Sequence, residues 1–217
     1  MVRRRAQEDP ARATLRAQRR SELLEAGVRV IRRDGPSPSM EAIAREAGVT
    51  KPILYRHFGD RSGLVAAVAS RFADELADVL DRSLVAGGDA RSQLVGAVDA
   101  YLAFVERDPS LYRFVLEGVG SGSAANLDGF LRSLGHRVAL VLGEQLRAAG
   151  QDSGGAEPLA HGIVGFVHAA GGWWVEGPTM PRARLVQYLT DLLWDGLGVL
   201  ATPERATVSL AEARRAR

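Results

Sequence analysis

The sequence predicts an all-α protein of about nine helices, and three observations carry that prediction. Apolar residues recur at close to the 3.6-residue period of a helix in segment after segment. No segment alternates apolar and polar residues with the period of two that marks a strand. Glycine, proline and aspartate fall between the periodic segments, where helices stop and start.

The first helix is expected over 15–33, with Leu15, Leu23, Leu24, Gly27, Val30 and Ile31 in phase, and it stops at Asp34-Gly35-Pro36. Ser39 is placed to cap a short second helix whose Met40, Ile43, Ala44 and Ala47 share one face, and Gly48 can adopt the left-handed conformation that closes it. After Val49, Thr50 is a second cap candidate. Lys51 and Pro52 then open a third helix over 51–58, with proline in the first turn, where it is tolerated.

Gly59-Asp60 ends that helix, and Asp60 caps a long fourth one with Leu64, Val65, Val68, Phe72, Leu76, Val79 and Leu80 on one side. Gly87-Gly88 breaks it. A fifth helix (Leu94, Val98, Tyr101, Leu102, Val105) reaches Asp108-Pro109, which opens a short sixth with Leu111, Tyr112, Phe114 and Val115. The Gly and Ser cluster 118–123 is a loop. A seventh helix runs to Gly150, an eighth spans about 158–175 and a ninth about 182–200.

Composition limits the chemistry. Among 217 residues there is no cysteine, which excludes a disulfide framework, a thiolate metal site and a cysteine nucleophile, and fits a reducing, cytoplasmic setting. A hydrophobic content of 46% with 25% charged residues is ordinary globular usage. No apolar run approaches a membrane span, and the basic N-terminus lacks the apolar stretch of an export signal. The net charge is only +2, yet residues 1–60 hold 13 Lys and Arg against 8 Asp and Glu. A basic first quarter on a mildly acidic remainder suits an anionic partner at one end, nucleic acid above all.

Helices two and three with their glycine turn form a helix-turn-helix, whose second helix offers its N-terminal residues to base edges in the major groove. Leu54 and Phe58 are four apart and turn inward with Ile43 and Ala44, which leaves Thr50, Lys51, Pro52, Tyr55, Arg56 and His57 outward or flanking. A cation, a hydroxyl and a phenol within two turns suit phosphate and base-edge contact. Arg61 begins helix four, whose free amides favour phosphate.

The run IAREAGVTKPILYRHFGDRSGL, Ile43 to Leu64, resembles the signature of the TetR family of transcriptional regulators, as does its approach from Leu23 to Gly35 with Ser39 and Met40. The stretches Glu106 to Gly118 and Trp173 to Leu197 are similar to later parts of that family. The resemblance implies that Lys51 and Pro52 approach bases, while Thr50, Tyr55, His57 and Arg61 mostly touch the DNA backbone. Glu41 stands where the family often has a basic or polar base-reading side chain; a carboxylate can accept from cytosine N4 but is repelled by phosphate.

The resemblance further implies four segments: a basic flexible arm (1–14), a DNA-binding domain (15–63), a ligand-binding and dimerisation domain (64–201) and a charged tail (202–217). Arg3, Arg4, Arg5, Arg12, Arg16, Arg19 and Arg20 make the N-terminal region basic, either to reach DNA or as a solubilising tail. If helices five to eight surround a cavity, Tyr101, Phe104, Tyr112, Phe130, Phe166, His168 and Trp173 are the expected walls, the alternative being a solid core. Trp173 and Trp174 suit either role. His161 and His168 read as structural polar residues at a pocket wall or subunit interface, and His136 as a surface residue.

No catalytic constellation or phosphate loop is evident, and no metal site or cofactor is expected. The function implied is a homodimeric repressor, paired through 158–175 and 182–200, released from a roughly palindromic double-stranded operator by a small, largely apolar effector, with no membrane partner. The alternatives are an activator or DNA binder without ligand, or an all-α enzyme or carrier fused to a DNA-binding head.

Overall fold

Periodicity sets the helices and their buried stripes set the packing. The structure, a computed structural model, describes residues 10–85, 88–118 and 124–201, without the side chains of 10, 84–85, 117–118, 124–128, 130 and 197–201. Arg3 to Arg5, Gly87, residues 119–123 of the expected loop and residues 202–217 of the expected tail lie outside the described residues, as do the side chains of Phe130, Leu197 and Leu200. Those that are described form nine α-helices and no strand: α1 (Pro10–Asp34), α2 (Met40–Glu46), α3 (Lys51–Phe58), α4 (Arg61–Val85), α5 (Ala90–Arg107), α6 (Pro109–Gly118), α7 (Ala124–Ala148), α8 (Ala156–Glu176) and α9 (Arg182–Ala201), with a 3-10 turn at Ser153–Gly155.

One difference from the sequence reading is at the start. α1 begins at Pro10, so Arg12 stands on the same helix as Arg16, Arg19 and Arg20 and not on a flexible arm. Residues 11–22 are exposed throughout, and a helix with no buried face shows no apolar period. Proline at the first helical position supplies the missing start signal.

The chain divides into two compact units. The first contains α1 to α3, α4 as far as Ala73, and α6, a division that differs from a boundary at 63/64. Its core takes Leu23, Val30 and Ile31 from α1, Ile43 and Ala44 from α2, Leu54 and Phe58 from α3, Leu64 and Val68 from α4, and Phe114 and Val115 from α6. Asp108 ties this unit together from a buried position. One carboxylate oxygen accepts from the Leu111 backbone N–H at 3.3 Å, at the start of α6, and the other from Arg32 Nε at 2.5 Å.

The second unit contains α4 from Asp74, α5, α7 from Asp128, α8 and α9. Ion pairs order α5 against α9. Arg182 at the start of α9 donates to Asp99 at 2.8 Å and to Glu106, both toward the end of α5, while Arg91 near the start of α5 donates to Asp191 at 2.6 Å. The two helices therefore run antiparallel. Leu185, Val186 and Leu189 of α9 are buried with Val98, Leu102 and Val105 of α5. Trp174 is core, 2% exposed, its Nε1 donating to the Met180 carbonyl at 2.8 Å.

Candidate nucleic-acid interface and apolar cavity

The outward surface of the first unit is built by two short helices and the turn between them. Ser39 Oγ accepts from the Ala42 backbone N–H at 3.1 Å, capping α2. Gly48, at φ +65°, turns the chain through a conformation that costs a side-chain-bearing residue about 1 kcal/mol, and α3 begins three residues later. Thr50 occupies the cap position of α3 with extended backbone, but its side chain makes no capping hydrogen bond. The Thr50 hydroxyl is therefore not committed to the helix it precedes.

Leu54 is fully buried and Phe58 nearly so, which fixes the rotation of α3. Tyr55 and Arg56 are exposed as a consequence, Thr50, Lys51 and Pro52 are exposed at the start of the helix, and His57 is half-buried. Of the expected contact residues, Arg61 is already engaged with the backbone of the unit. Its Nη1 donates to the Pro38 carbonyl at 2.6 Å and its guanidinium lies 6.0 Å from the Phe114 ring centre, so only its remaining nitrogens are available to phosphate.

Two electrostatic features were not legible from composition. Lys51 Nζ is 3.0 Å from Glu41 Oε2, an exposed pair at the mouth of the recognition helix. Lys51 beside it, by hydrogen bond and then by charge, holds the Glu41 carboxyl below its usual range. Glu41 thus acts first as an internal partner of the recognition-helix cation. The second feature is a cationic ring around His57. Burial, and then the charges of Arg56, Arg16, Arg19 and Arg20, push its pKa below the ordinary value. The exposed first half of α1 therefore contributes its arginines to the same surface as α3.

In the second unit, α4, α5, α7, α8 and α9 enclose a cavity of about 190 Å³. Its wall is mostly aliphatic, from Leu94 and Val98 of α5, Leu134 and Val138 of α7, and Val164 and Val167 of α8. Its polar groups are few: Gln93, Gln145, and Tyr101, whose hydroxyl lies 3.1 Å from His168 Nδ1. Burial lowers the pKa of His168, which keeps the imidazole neutral near pH 7.

Of the seven residues expected to line a cavity, the structure brings Tyr101 and His168 to this wall. The Phe130 side chain is outside the described residues. The other four are elsewhere. Phe104 is buried away from the cavity, Tyr112 belongs to the core of the first unit, and Phe166 and Trp173 lie on the outer side of α8, with Trp173 54% exposed. Aliphatic residues and Trp194 take their place. Periodicity finds an apolar face without showing what covers it, and α8 is apolar on more than one side. His136 is exposed, its Nδ1 3.5 Å from Glu157, which also lies 3.6 Å from His161 Nε2.

A helix-turn-helix whose second helix projects a lysine, a tyrosine and an arginine from a cationic surface defines a DNA-binding regulator. Residues 23–68 match the family described as bacterial regulatory proteins, tetR family, and residues 79–209 match the tetracyclin repressor-like C-terminal domain. The chain belongs to the TetR family of transcriptional regulators, which are not enzymes. It is 34% identical over 183 residues to an HTH-type transcriptional regulator of Mycobacterium tuberculosis, a match covering 84% of this chain and 78% of the relative. It is 38% identical over 103 residues to the HTH-type transcriptional activator FasR of Mycolicibacterium smegmatis, which covers 47% of each chain. Its fold is shared with a tetR-family regulator from Streptomyces coelicolor (TM-score 0.66, 21% identity, 90% of this chain and 89% of that one). The fatty acid degradation regulator FadR from Bacillus halodurans is similar as well (TM-score 0.67, 16% identity, 86% and 96%). Among the described residues no helix is long and apolar enough to cross a membrane.

The geometry separates base contact from charge. Lys51→Ala or Tyr55→Ala should weaken specific binding to a selected operator by roughly 10- to 100-fold, with the thermal unfolding curve unchanged, whereas Leu54→Ala should lose binding through loss of the head's stability. Glu41→Gln should act oppositely on the salt dependence. With Lys51 released, the slope of log K against log salt should steepen by up to about 0.9, measured by fluorescence anisotropy from low to physiological salt.

His57 is expected to make binding pH-linked. In the free protein its pKa is depressed, and a phosphate placed among these cations raises it, so the complex takes up a proton. Affinity should fall as pH rises through the pKa of the bound state, and His57→Gln should remove that dependence. Calorimetry in buffers of different ionisation enthalpy reads the proton uptake directly.

Proposed function

We infer that this protein is a homodimeric repressor that leaves a roughly palindromic operator when a small, largely apolar ligand enters its second unit. The observation that carries this reading is the pairing, in one chain, of an exposed cationic recognition surface with an apolar cavity that has a few polar groups, the usual design of a small-molecule site. The DNA contacts assigned are Thr50, Lys51, Pro52, Tyr55, Arg56 and His57, with Arg61 in a supporting position. Such a protein works where the chromosome is, in the cytoplasm.

The two units share α4, which supplies Arg61 to the first and Leu80 to the cavity wall of the second. A ligand that displaces Leu80 can therefore tilt the helix that starts at the head. In a dimer this changes the spacing of two recognition helices, which must be near 34 to 36 Å to occupy successive major grooves, roughly one helical turn. The similarity to FasR, an activator, supports a second reading in which the same binding activates transcription. Transcription in vitro from a selected operator, with and without the protein, decides the sign.

The dimer face is supported by apolar residues that the chain leaves uncovered: Phe166 and Trp173 on α8, with exposed Gly162, Gly165 and Ala169 along the same side, and Tyr188 and Leu192 on α9. Leu189, which periodicity alone would place at such a face, is buried inside the protomer, and Leu193 is half-buried. A charge at Leu189 would break the fold before it broke a dimer. Leu192, 62% exposed, is the diagnostic position. The wild-type protein should sediment as a dimer at micromolar concentration and Leu192→Glu combined with Trp173→Glu as a folded monomer; a monomeric wild type would refute the interface.

Release follows linkage. A ligand that lowers operator affinity must bind the DNA-bound protein more weakly than the free protein by the same factor. Titrating ligands into free protein and into the operator complex should show that difference, and equal affinities in the two states would overturn the release mechanism.

A further inference from the structure

The cavity of the second unit carries a narrower conclusion than apolar binding, because its wall holds no charged side chain of either sign. Among the described residues of the wall there is no Lys, Arg, Asp or Glu. Two guanidiniums on the helices that form it are committed to carboxylates, Arg91 to Asp191 at 2.6 Å and Arg137 to both oxygens of Asp81 at 3.0 Å. A ligand with an ionised group would therefore have to leave that group at the rim, where Gln145 and Trp194 are exposed, or bury it against aliphatic carbon without a counter-charge. Burying an unpaired charge is among the most costly events a protein interior can host.

Against this apolar background one polar point is built into the wall. The Tyr101 hydroxyl and His168 Nδ1 are 3.1 Å apart, on α5 and α8. The position of the phenol is prepared by Gly171: a Cβ there would stand 2.8 Å from Tyr101 Cε1 and 3.2 Å from Leu102 Cδ2, so no larger residue is accommodated without moving the ring. A phenol and a neutral imidazole in contact provide both donor and acceptor character, and which of them donates to the other depends on the imidazole tautomer. The pair can thus meet a hydroxyl or a carbonyl. It offers no fixed positive charge.

We propose that the effector of this protein is an uncharged molecule with an aliphatic chain and one hydrogen-bonding group, an alcohol, ester or amide, held at the Tyr101–His168 pair, and not a free fatty-acid carboxylate or a cationic amphiphile. The proposal rests on the reading of the second unit as a ligand-responsive site. The size is adequate for such a chain: about 190 Å³ is available, and about 150 Å³ already admits benzene. The exposed rim lets a longer tail or a polar extension continue outward.

The test uses the full-length protein and probes of one chain length: n-decanol, methyl decanoate, sodium decanoate, decyltrimethylammonium and 1-chlorodecane. Binding is followed by calorimetry and by the change in tryptophan emission, to which Trp194 at the rim contributes beside Trp173 and Trp174, and operator release by anisotropy. n-Decanol and methyl decanoate should bind at least tenfold more tightly than decanoate or decyltrimethylammonium. Tyr101→Phe should reduce decanol and ester binding about fivefold or more and leave 1-chlorodecane unchanged; His168→Gln provides the same comparison if the phenylalanine variant is unstable. Ala97→Phe, which fills the cavity, should remove binding of every probe.

Decanoate binding as tightly as decanol would overturn the proposal, as would a Tyr101→Phe variant that loses 1-chlorodecane equally, and so would the failure of every probe to bind. The two readings fail separately. If decanol and the ester bind with the predicted preference but the operator complex is unaffected, the effector class stands and release by ligand falls; if decanoate alone releases DNA, release stands and the class falls.

Discussion

The burial of Leu54 is the constraint on which the DNA-facing surface depends. α3 has only eight residues, so its rotation is set by a single inward pair, Leu54 and Phe58, buried in the same unit as Ile43 and Leu64. A helix advances 100° per residue, and once position 54 is inward, positions 55 and 56 are carried outward by geometry alone. Tyr55 and Arg56 are presented because an aliphatic side chain of no chemical interest is dry, and Lys51 is exposed because it begins the helix. The turn before α3 serves the same end. Gly48 in the left-handed region lets α2 stop and α3 start within a few residues, so the core faces of the two helices stay in register.

The support for this surface comes from far along the chain. Asp108 accepts from Arg32, 76 residues earlier, and from the first turn of α6, so the carboxylate that starts α6 also holds it to α1. Gly63 has a comparable role at shorter range. A Cβ at that position would fall 1.8 Å from the Phe58 carbonyl oxygen, so only glycine lets the first turn of α4 close down on the end of α3. Asp60 then caps that turn, accepting from the Gly63 backbone N–H at 2.8 Å. α3 is thus held from both ends. A boundary drawn in the sequence at 63/64 misses this, because the residues that complete the first unit, α4 to Ala73 and α6, are identified only by their packing.

Local signals and pairwise signals differ in what they reveal. The span of α3, the cap at Ser39 and the break at Gly35 were legible because each depends on residues within one or two turns. The start of α1 was hidden because residues 11–22 bury nothing, and the Thr50 side chain does not cap although its type and backbone fit. Cavity walls are harder still, since they are defined by several helices at once. Phe104 and Trp173 sit on apolar positions just as Tyr101 does, yet one is packed into the core and the other faces outward. The signal that would have singled out Tyr101 is its complement: Gly171, on a different helix, is small where the tyrosine is large. Such a match is visible only when the two helices are seen together. The Lys51–Glu41 pair has the same character, being a relation between two residues that composition counts as opposite charges and nothing more.

In the proposed reading, the eighth helix would couple the two activities of the second unit mechanically. Val164, Val167 and His168 face the cavity, and Gly171, Trp174 and Val175 are buried on the inner side, whereas Gly162, Phe166 and Trp173 are exposed. A helix apolar on both sides needs two packing partners. Under the proposed dimer, the second partner is another copy of the chain, and one 21-residue rod separates ligand from partner. Close-packed interiors transmit a displacement because they have little free volume to absorb it. Under the proposed release, a ligand larger than the cavity would press on α8 beside Val164 and Val167, or on α4 through Leu80. In the proposed dimer either movement would alter operator binding without any charge entering the unit. That is consistent with an aliphatic wall as the sensor: the work is done by volume, and the Tyr101–His168 pair is left to decide which molecule supplies it.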